Sequence, residues 1–190
     1  CTNHAPELRT VSRLATYSLC FPMNDPALSA FTQSERAQIR TALALLIDRS
    51  DLCAQITPGA QQSANAPIPP GISDADGSDF AAHNGADGNG AGYYSADYAA
   101  NCQQAVALLR QAAESSGRFT VSAQGVCAGF PELTYLTSDA AGHVAIAEYL
   151  RALYARYGIT LTVTAQDMQT FLTSRAAGGY SVTRCSFSAD

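Results

Sequence analysis

The sequence predicts an α+β fold: an N-terminal helical hairpin, a long acidic Gly/Pro-rich loop, then a small three-stranded sheet with helices packed mainly on one face, stapled by disulfides. Three observations predict it. Apolar residues recur at helical spacing near the N-terminus, residues 54 to 94 follow no period, and three segments with strand character alternate with helices in the second half. The 190 residues, 47% of them hydrophobic, can bury one core, so the chain reads as a single domain over 1–190. Its parts are the hairpin 6–53, the loop 54–95 and the α/β portion 96–190.

From Pro6 to Cys20, Leu8, Val11, Leu14, Ala15 and Leu19 fall on one helical face, and Phe21-Pro22 ends that run. Thr32-Gln33-Ser34-Glu35 has the form of a capping box, in which Thr and Glu each satisfy the other's backbone N–H. Ile39, Leu43, Leu46 and Ile47 then form a buried stripe. Thr57-Pro58-Gly59, Pro67 to Gly71 and Gly85, Gly88, Gly90 and Gly92 mark repeated turns. Ser95 is placed to cap a helix over about 96–116 that Gly117 closes. Phe119 to Ala123 alternates as a half-buried strand. Ser138 opens a helix running to Tyr157, with Gly158 as its left-handed terminator. Thr160 to Thr164 alternates as the second strand, Thr164 and Asp167 open a short helix that stops at Gly178-Gly179, and Tyr180 to Phe187 is the third strand.

The cysteines are Cys1, Cys20, Cys53, Cys102, Cys127 and Cys185. A chain that starts with Cys reads as processed and exported, which predicts an extracellular, periplasmic or cell-envelope location where disulfides persist. Six cysteines allow three bridges, whereas a lipid anchor at Cys1 would leave one thiol over. The first helix, about 20 Å long if intact, separates Cys1 from Cys20. A Cys53–Cys102 bridge would close the acidic loop at its base.

The chain contains eleven arginines and no lysine, which excludes Schiff-base and phosphate-loop lysine chemistry. A GC-rich genome accounts for that bias as well as any function does. Between Arg49 and Arg110 stand six acids and no base, so the net charge of −5 resides in one segment. No basic stripe is present for nucleic acid. No apolar run approaches the roughly 18 residues of a membrane span. A weakly charged surface favours a protein partner or self-association.

Asp74-Ala75-Asp76-Gly77-Ser78-Asp79 and Asp87-Gly88-Asn89-Gly90 concentrate carboxylates on a chain able to turn sharply, the arrangement calcium needs. Gly77 is fourth in its run and no Glu follows, so the loop departs from the helix-flanked calcium pattern. The expected metal ligands are Asp74, Asp76, Asp79 and Asp87. His4, His83 and His143 are too scattered for a metal-ligand spacing.

Ser138-Asp139-Ala140-Ala141-Gly142-His143-Val144-Ala145-Ile146-Ala147-Glu148 resembles the final helix of GDSL-type esterases, where Gly-His precedes Ile-Ala-Glu. The resemblance covers about a dozen residues. It implies a secreted hydrolase using His143. The family's Gly-Asp-Ser nucleophile motif is missing, however, and Leu133-Thr134-Tyr135-Leu136 stands where its Asp-x-x-His belongs. The sequence therefore predicts a non-catalytic binding or structural component of an envelope, secreted complex or extracellular assembly, with a calcium-binding loop as a further expectation. A hydrolase built on His143 is the alternative.

Overall fold

The computed structural model describes residues 13–59, 61–83 and 93–188. The first element is β1 (Ala15–Cys20), a strand where helical spacing predicts a helix. Residues 6–12 lie outside the described part. The correction has a physical reason: Thr16, Tyr17 and Leu19 suit a pleated surface, and a distant strand supplies the backbone ladder that local periodicity cannot reveal. The helical separation of Cys1 from Cys20 falls with that helix. Cys1 itself is outside the described residues.

Helix α1 (Gln33–Leu45) begins with the expected capping box. Thr32 Oγ1 accepts from Glu35 N at 3.3 Å, and Glu35 Oε2 accepts from Thr32 N at 2.8 Å. Thr32→Ala is expected to cost about 1 kcal/mol, read as a lowered midpoint in urea unfolding with an unchanged slope. Asp48 caps α2 (Arg49–Ile56). Among its described residues, the loop that follows holds α3 (Phe80–His83) and a bridge between Ser73 and Asp79. Asp97, not Ser95, caps α4 (Tyr98–Ser116), and Gly117 closes it in the left-handed region at φ 63°.

The predicted strand at 119–123 contracts to β2 (Thr120–Val121), paired with β3 (Cys127–Ala128) in a separate two-stranded sheet. The main sheet has four strands, not three, because β1 joins it and because β4 (Leu133–Ser138) lies at its centre. Sequence alternation does not reveal β4. Five of its six residues are buried, and a parallel strand covered on both faces has no polar side to alternate with. Ser138 therefore ends a strand and does not cap the next helix. That helix, α5 (Ala141–Ala155), starts at Ala140 with no side-chain cap. β5 (Leu161–Gln166), α6 (Met168–Ala177) and β6 (Val182–Ser188) complete the chain close to their predicted positions.

The strand order is β1-β6-β4-β5. β4 is parallel to both β5 and β6, and β1 runs antiparallel to β6 with Ala15 opposite Ser188 and Cys20 opposite Thr183. The crossover through α5 steps outward to β5, and the one through α6 steps back across β4 to β6. Right-handed crossovers in opposite directions place α5 and α6 on opposite faces. Burial agrees. Leu133, Tyr135, Leu161 and Val182 join Ile39 and Leu43 of α1, Leu109 of α4 and Leu150 of α5 in one cluster, which leaves out the buried Leu136 and Phe171. Each such side chain contributes roughly 1.5–3 kcal/mol. The Tyr154 hydroxyl donates to Leu43 O at 3.0 Å and ties α5 to α1 inside that core.

No disulfide occurs among the described residues, which corrects the expectation of a stapled fold: Cys20, Cys53, Cys102, Cys127 and Cys185 are all thiols. Cys102 Sγ accepts a hydrogen bond from Tyr157 at 3.5 Å and does not bridge Cys53. Burial pushes Cys127 up to about 11. Burial, then the neighbouring Cys185 thiol, pushes Cys20 up to about 11. Thiols held protonated in this way are poor nucleophiles at neutral pH. Among the described residues the buried cluster holds the fold without cross-links.

Candidate functional site

Ser138 and Gln166 close β4 and β5 side by side, and Asp139 N donates to Gln166 O at 2.7 Å just beyond. From there the chain leaves toward α5 on one face and α6 on the other. In open α/β sheets such a divergence at the carboxyl ends of parallel strands forms the crevice where ligands bind.

Polar atoms around this crevice are buried without partners. Among the described residues, the buried side-chain atoms lacking a hydrogen bond are Tyr17 Oη, Tyr135 Oη, Thr137 Oγ1, Ser138 Oγ, Gln166 Oε1 and Arg184 Nε. Tyr135 and Thr137 are fully buried and Ser138 is 1% exposed. Leaving such groups unpaired costs roughly 1–3 kcal/mol each, so their concentration on the four strands of one sheet calls for a ligand-based explanation. The Tyr17 and Tyr135 hydroxyls are close enough to perturb each other, without good hydrogen-bond geometry between them. Burial raises both phenols above their ordinary value, so both stay protonated and able to donate.

His143, in the first turn of α5, stacks on Tyr17 with ring centroids 5.6 Å apart and planes at 19°. Burial, then the nearby Arg184 charge, lowers its pKa. The imidazole is therefore neutral at neutral pH. Arg184 reaches the other face of the sheet as well, with its guanidinium 4.8 Å from the Phe171 ring centroid and Nη2 3.6 Å from Met168 Sδ. The one ion pair described, Glu148–Arg151, lies elsewhere on α5. The site thus offers hydroxyl donors, an amide oxygen and a guanidinium without a carboxylate partner.

The acidic loop is arranged differently. Asp76 Oδ1 accepts from Ser78 N at 2.9 Å and from Ser78 Oγ at 2.6 Å, and these bonds lower its pKa. Asp79 accepts from Gly71 N and Ala81 N, and Asp74 from Ala75 N. Among the described residues no three His, Cys, Asp or Glu side chains gather as a metal site; Asp87 lies outside them. Calcium there is a proposal, in which the carboxylate lone pairs not used in these turns would hold the ion. It demands a rise in melting temperature at millimolar calcium that Asp76→Asn removes. His143, the hydrolase candidate, has no hydrogen bond from its ring to a serine or carboxylate among the described residues. The unpartnered residues of β1, β4, β5 and β6 escape sequence reasoning, because nothing in spacing reveals which hydroxyls a fold will bury unpaired.

An open groove of about 500 Å³ between α5 and β5, lined by Glu148, Arg151 and residues 158–163, lies at the amino end of β5. It is the wrong end for the crevice, and the unpartnered groups lie elsewhere.

The fold is an α/β lobe with a candidate ligand crevice at the carboxyl ends of its parallel strands. Residues 2–190 match the model for bacterial extracellular solute-binding proteins, family 5 (Middle), and the chain belongs to that family. Solved structures agree at the level of fold. The periplasmic murein tripeptide-binding protein MppA, in its unliganded open form, is 18% identical, covers 100% of this chain and 33% of its own, and superposes with a TM-score of 0.65. The substrate-binding domain of an oligopeptide ABC transporter from Bacillus anthracis is 18% identical over 94% of this chain and 31% of its own, with a TM-score of 0.69. Peptide-bound OppA from Listeria monocytogenes is 14% identical over 95% and 32%, with a TM-score of 0.70. The chain spans about a third of the length of these three proteins. No curated protein matches it. Members of this family are extracellular or periplasmic proteins, which places this chain outside the cytoplasm. No helix among the described residues is long and apolar enough to cross a membrane.

Proposed function

We propose that this chain is a ligand-gripping lobe of a peptide-binding protein that delivers short peptides to an ABC importer. The observation that carries the reading is the set of buried, unpartnered polar groups on β4 and at the carboxyl end of β5, with Tyr17 of β1 and Arg184 of β6. A peptide offers what they lack: backbone N–H and C=O groups for Gln166, Ser138, Thr137 and the tyrosines, and charge for Arg184. The murein tripeptide, oligopeptide-transporter and peptide-bound relatives support peptide as the ligand class. The same likeness supports delivery to a transporter. A structural role in an assembly has no comparable support.

The test is calorimetric titration of the intact protein with short peptides. Binding should weaken about tenfold in Arg184→Met, in line with the loss of one charge-assisted hydrogen bond, while the melting temperature changes little. An Arg184→Met protein that binds peptide as tightly as the unaltered one would remove Arg184 from the site.

A further inference from the structure

Two thiols at one edge of the main sheet belong neither to the buried cluster nor to the unpartnered groups of the crevice. Cys20 ends β1 and is exposed, and Cys185 on β6 is half-buried. The two strands run antiparallel, with Cys20 opposite Thr183 and Ser18 opposite Cys185. Opposite residues share a face and side chains repeat every second position, so both thiols stand on one side of the sheet as diagonal neighbours. Burial raises the Cys20 pKa first, and the Cys185 thiol is close enough to raise it further. The charge of Arg175, near the end of α6, is also felt there, which identifies the side as the α6 face.

The strands that carry the thiols are weakly held at this point. β6 pairs with β4 at Val182 and Thr183, and beyond Thr183 its partner among the described residues is β1 alone. Residues 15–19 and 184–188 thus form a two-stranded arm, an arrangement of marginal stability by itself. That arm bears Tyr17 and Arg184 of the crevice.

We propose that Cys20 and Cys185 form a reversible oxidation site, and that the bridge made between them fixes the β1–β6 arm. The chain lies outside the cytoplasm, where disulfides form and persist. The described fold holds with both thiols reduced, so the bridge is a modification of a folded protein and not a condition of folding. Diagonal neighbours on paired strands lie roughly 7–8 Å apart, slightly beyond what a relaxed disulfide prefers. Closing the bridge therefore draws the end of β1 toward β6, and the bond is more easily reduced than an unstrained one. The chain beyond Cys20 can follow, since Met23 and Asn24 form an exposed turn.

The oxidant is a disulfide-bearing small molecule, represented by oxidised glutathione. One protein thiol gives its proton to solvent and attacks a glutathione sulfur, expelling a glutathione thiolate and leaving a mixed disulfide. The second thiol, deprotonated in turn, attacks the protein sulfur of that mixed disulfide and expels the other glutathione. Two protein thiols are oxidised to one disulfide, and one glutathione disulfide is reduced to two thiols.

The experiment equilibrates the intact protein with excess oxidised glutathione at pH 8.5, where protonated thiols react faster than at neutral pH. The products are alkylated in denaturant and mapped as peptides. The expected result is a cross-linked pair of peptides joining Cys20 to Cys185, released by dithiothreitol, and a melting temperature about 5–10 °C higher than in the reduced protein. Cys185→Ser should show no such rise on oxidation. Recovery of Cys20 and Cys185 as alkylated thiols or glutathione adducts, or bridged to a different cysteine, overturns the proposal. So does a Cys20–Cys185 bridge that leaves the melting temperature unchanged, because the arm would then gain nothing from it. The mapping uses the unaltered protein, so it does not depend on whether the variant folds.

Discussion

Gly158→Val is expected to prevent stable folding, with a cost of more than about 4 kcal/mol. Gly158 ends the turn after α5 at φ 69°, a region that β-branched residues avoid. Space is a second obstacle. A Cβ there would meet Cys127 O at 2.2 Å and Val126 Cγ1 at 3.0 Å, and the first of these is backbone that cannot rotate away. That backbone is also held in place, because Cys127 N donates to Tyr157 O at 2.8 Å. The contact locks the β2–β3 hairpin against the turn that sends the chain into β5. Gly158→Ala, with the same Cβ and less bulk, should fold but melt well below the unaltered protein. Circular dichroism melts of both variants check this, and an unchanged melting temperature in Gly158→Ala would show that the hairpin is not packed on this turn. Gly125, at φ 83°, offers a graded comparison, since the atoms nearest its Cβ would belong to the Val106 side chain, at 2.9 Å, and not to backbone.

Tyr135→Phe is expected to act in the opposite direction, stabilising the ligand-free protein by about 2 kcal/mol. The Tyr135 hydroxyl is fully buried without a partner, so the fold bears its desolvation cost and gains nothing from it. Burial also raises its pKa, which keeps the group a neutral donor across the working range. Removing the oxygen removes that cost and leaves the ring in the core. Peptide should then bind more weakly, because the hydroxyl is held ready for a ligand acceptor. Urea unfolding with and without peptide measures both effects. Loss of ligand-free stability would mean that the hydroxyl already has a partner within the fold. Stability gained with binding unchanged would mean that the ligand does not use it.

Local chemistry made much of this fold legible. Thr32 and Glu35 are three residues apart in a pattern with one good solution, and Gly117 and Gly158 sit where helices need a left-handed residue. β1 and β4 were hidden for different reasons. The apolar residues of 8–19 fit a helical face, and only pairing with β6, far along the chain, makes Ala15–Cys20 a strand. β4 is central and covered on both faces, so Leu133 to Ser138 carries no alternation to detect. With β4 unseen, Ser138 looked like a helix cap, although its unpaired hydroxyl is part of the site. His143 stood out in the sequence as a hydrolase candidate, and the fold stacks it on Tyr17 beside Arg184. The acidic loop drew attention by composition, and its described carboxylates also hold turns. A site built from unpartnered hydroxyls on separate strands depends on the completed sheet, and no single segment announces it.

The central claim is that ligand binds at the carboxyl ends of β4 and β5. Amide and side-chain NMR of the intact protein, titrated with trialanine, locates the ligand directly. The account predicts that shifts concentrate at Thr137 to His143, Gln166 and Arg184. Shifts confined to Glu148, Arg151 and residues 158–163, at the opposite end of β5, would contradict it.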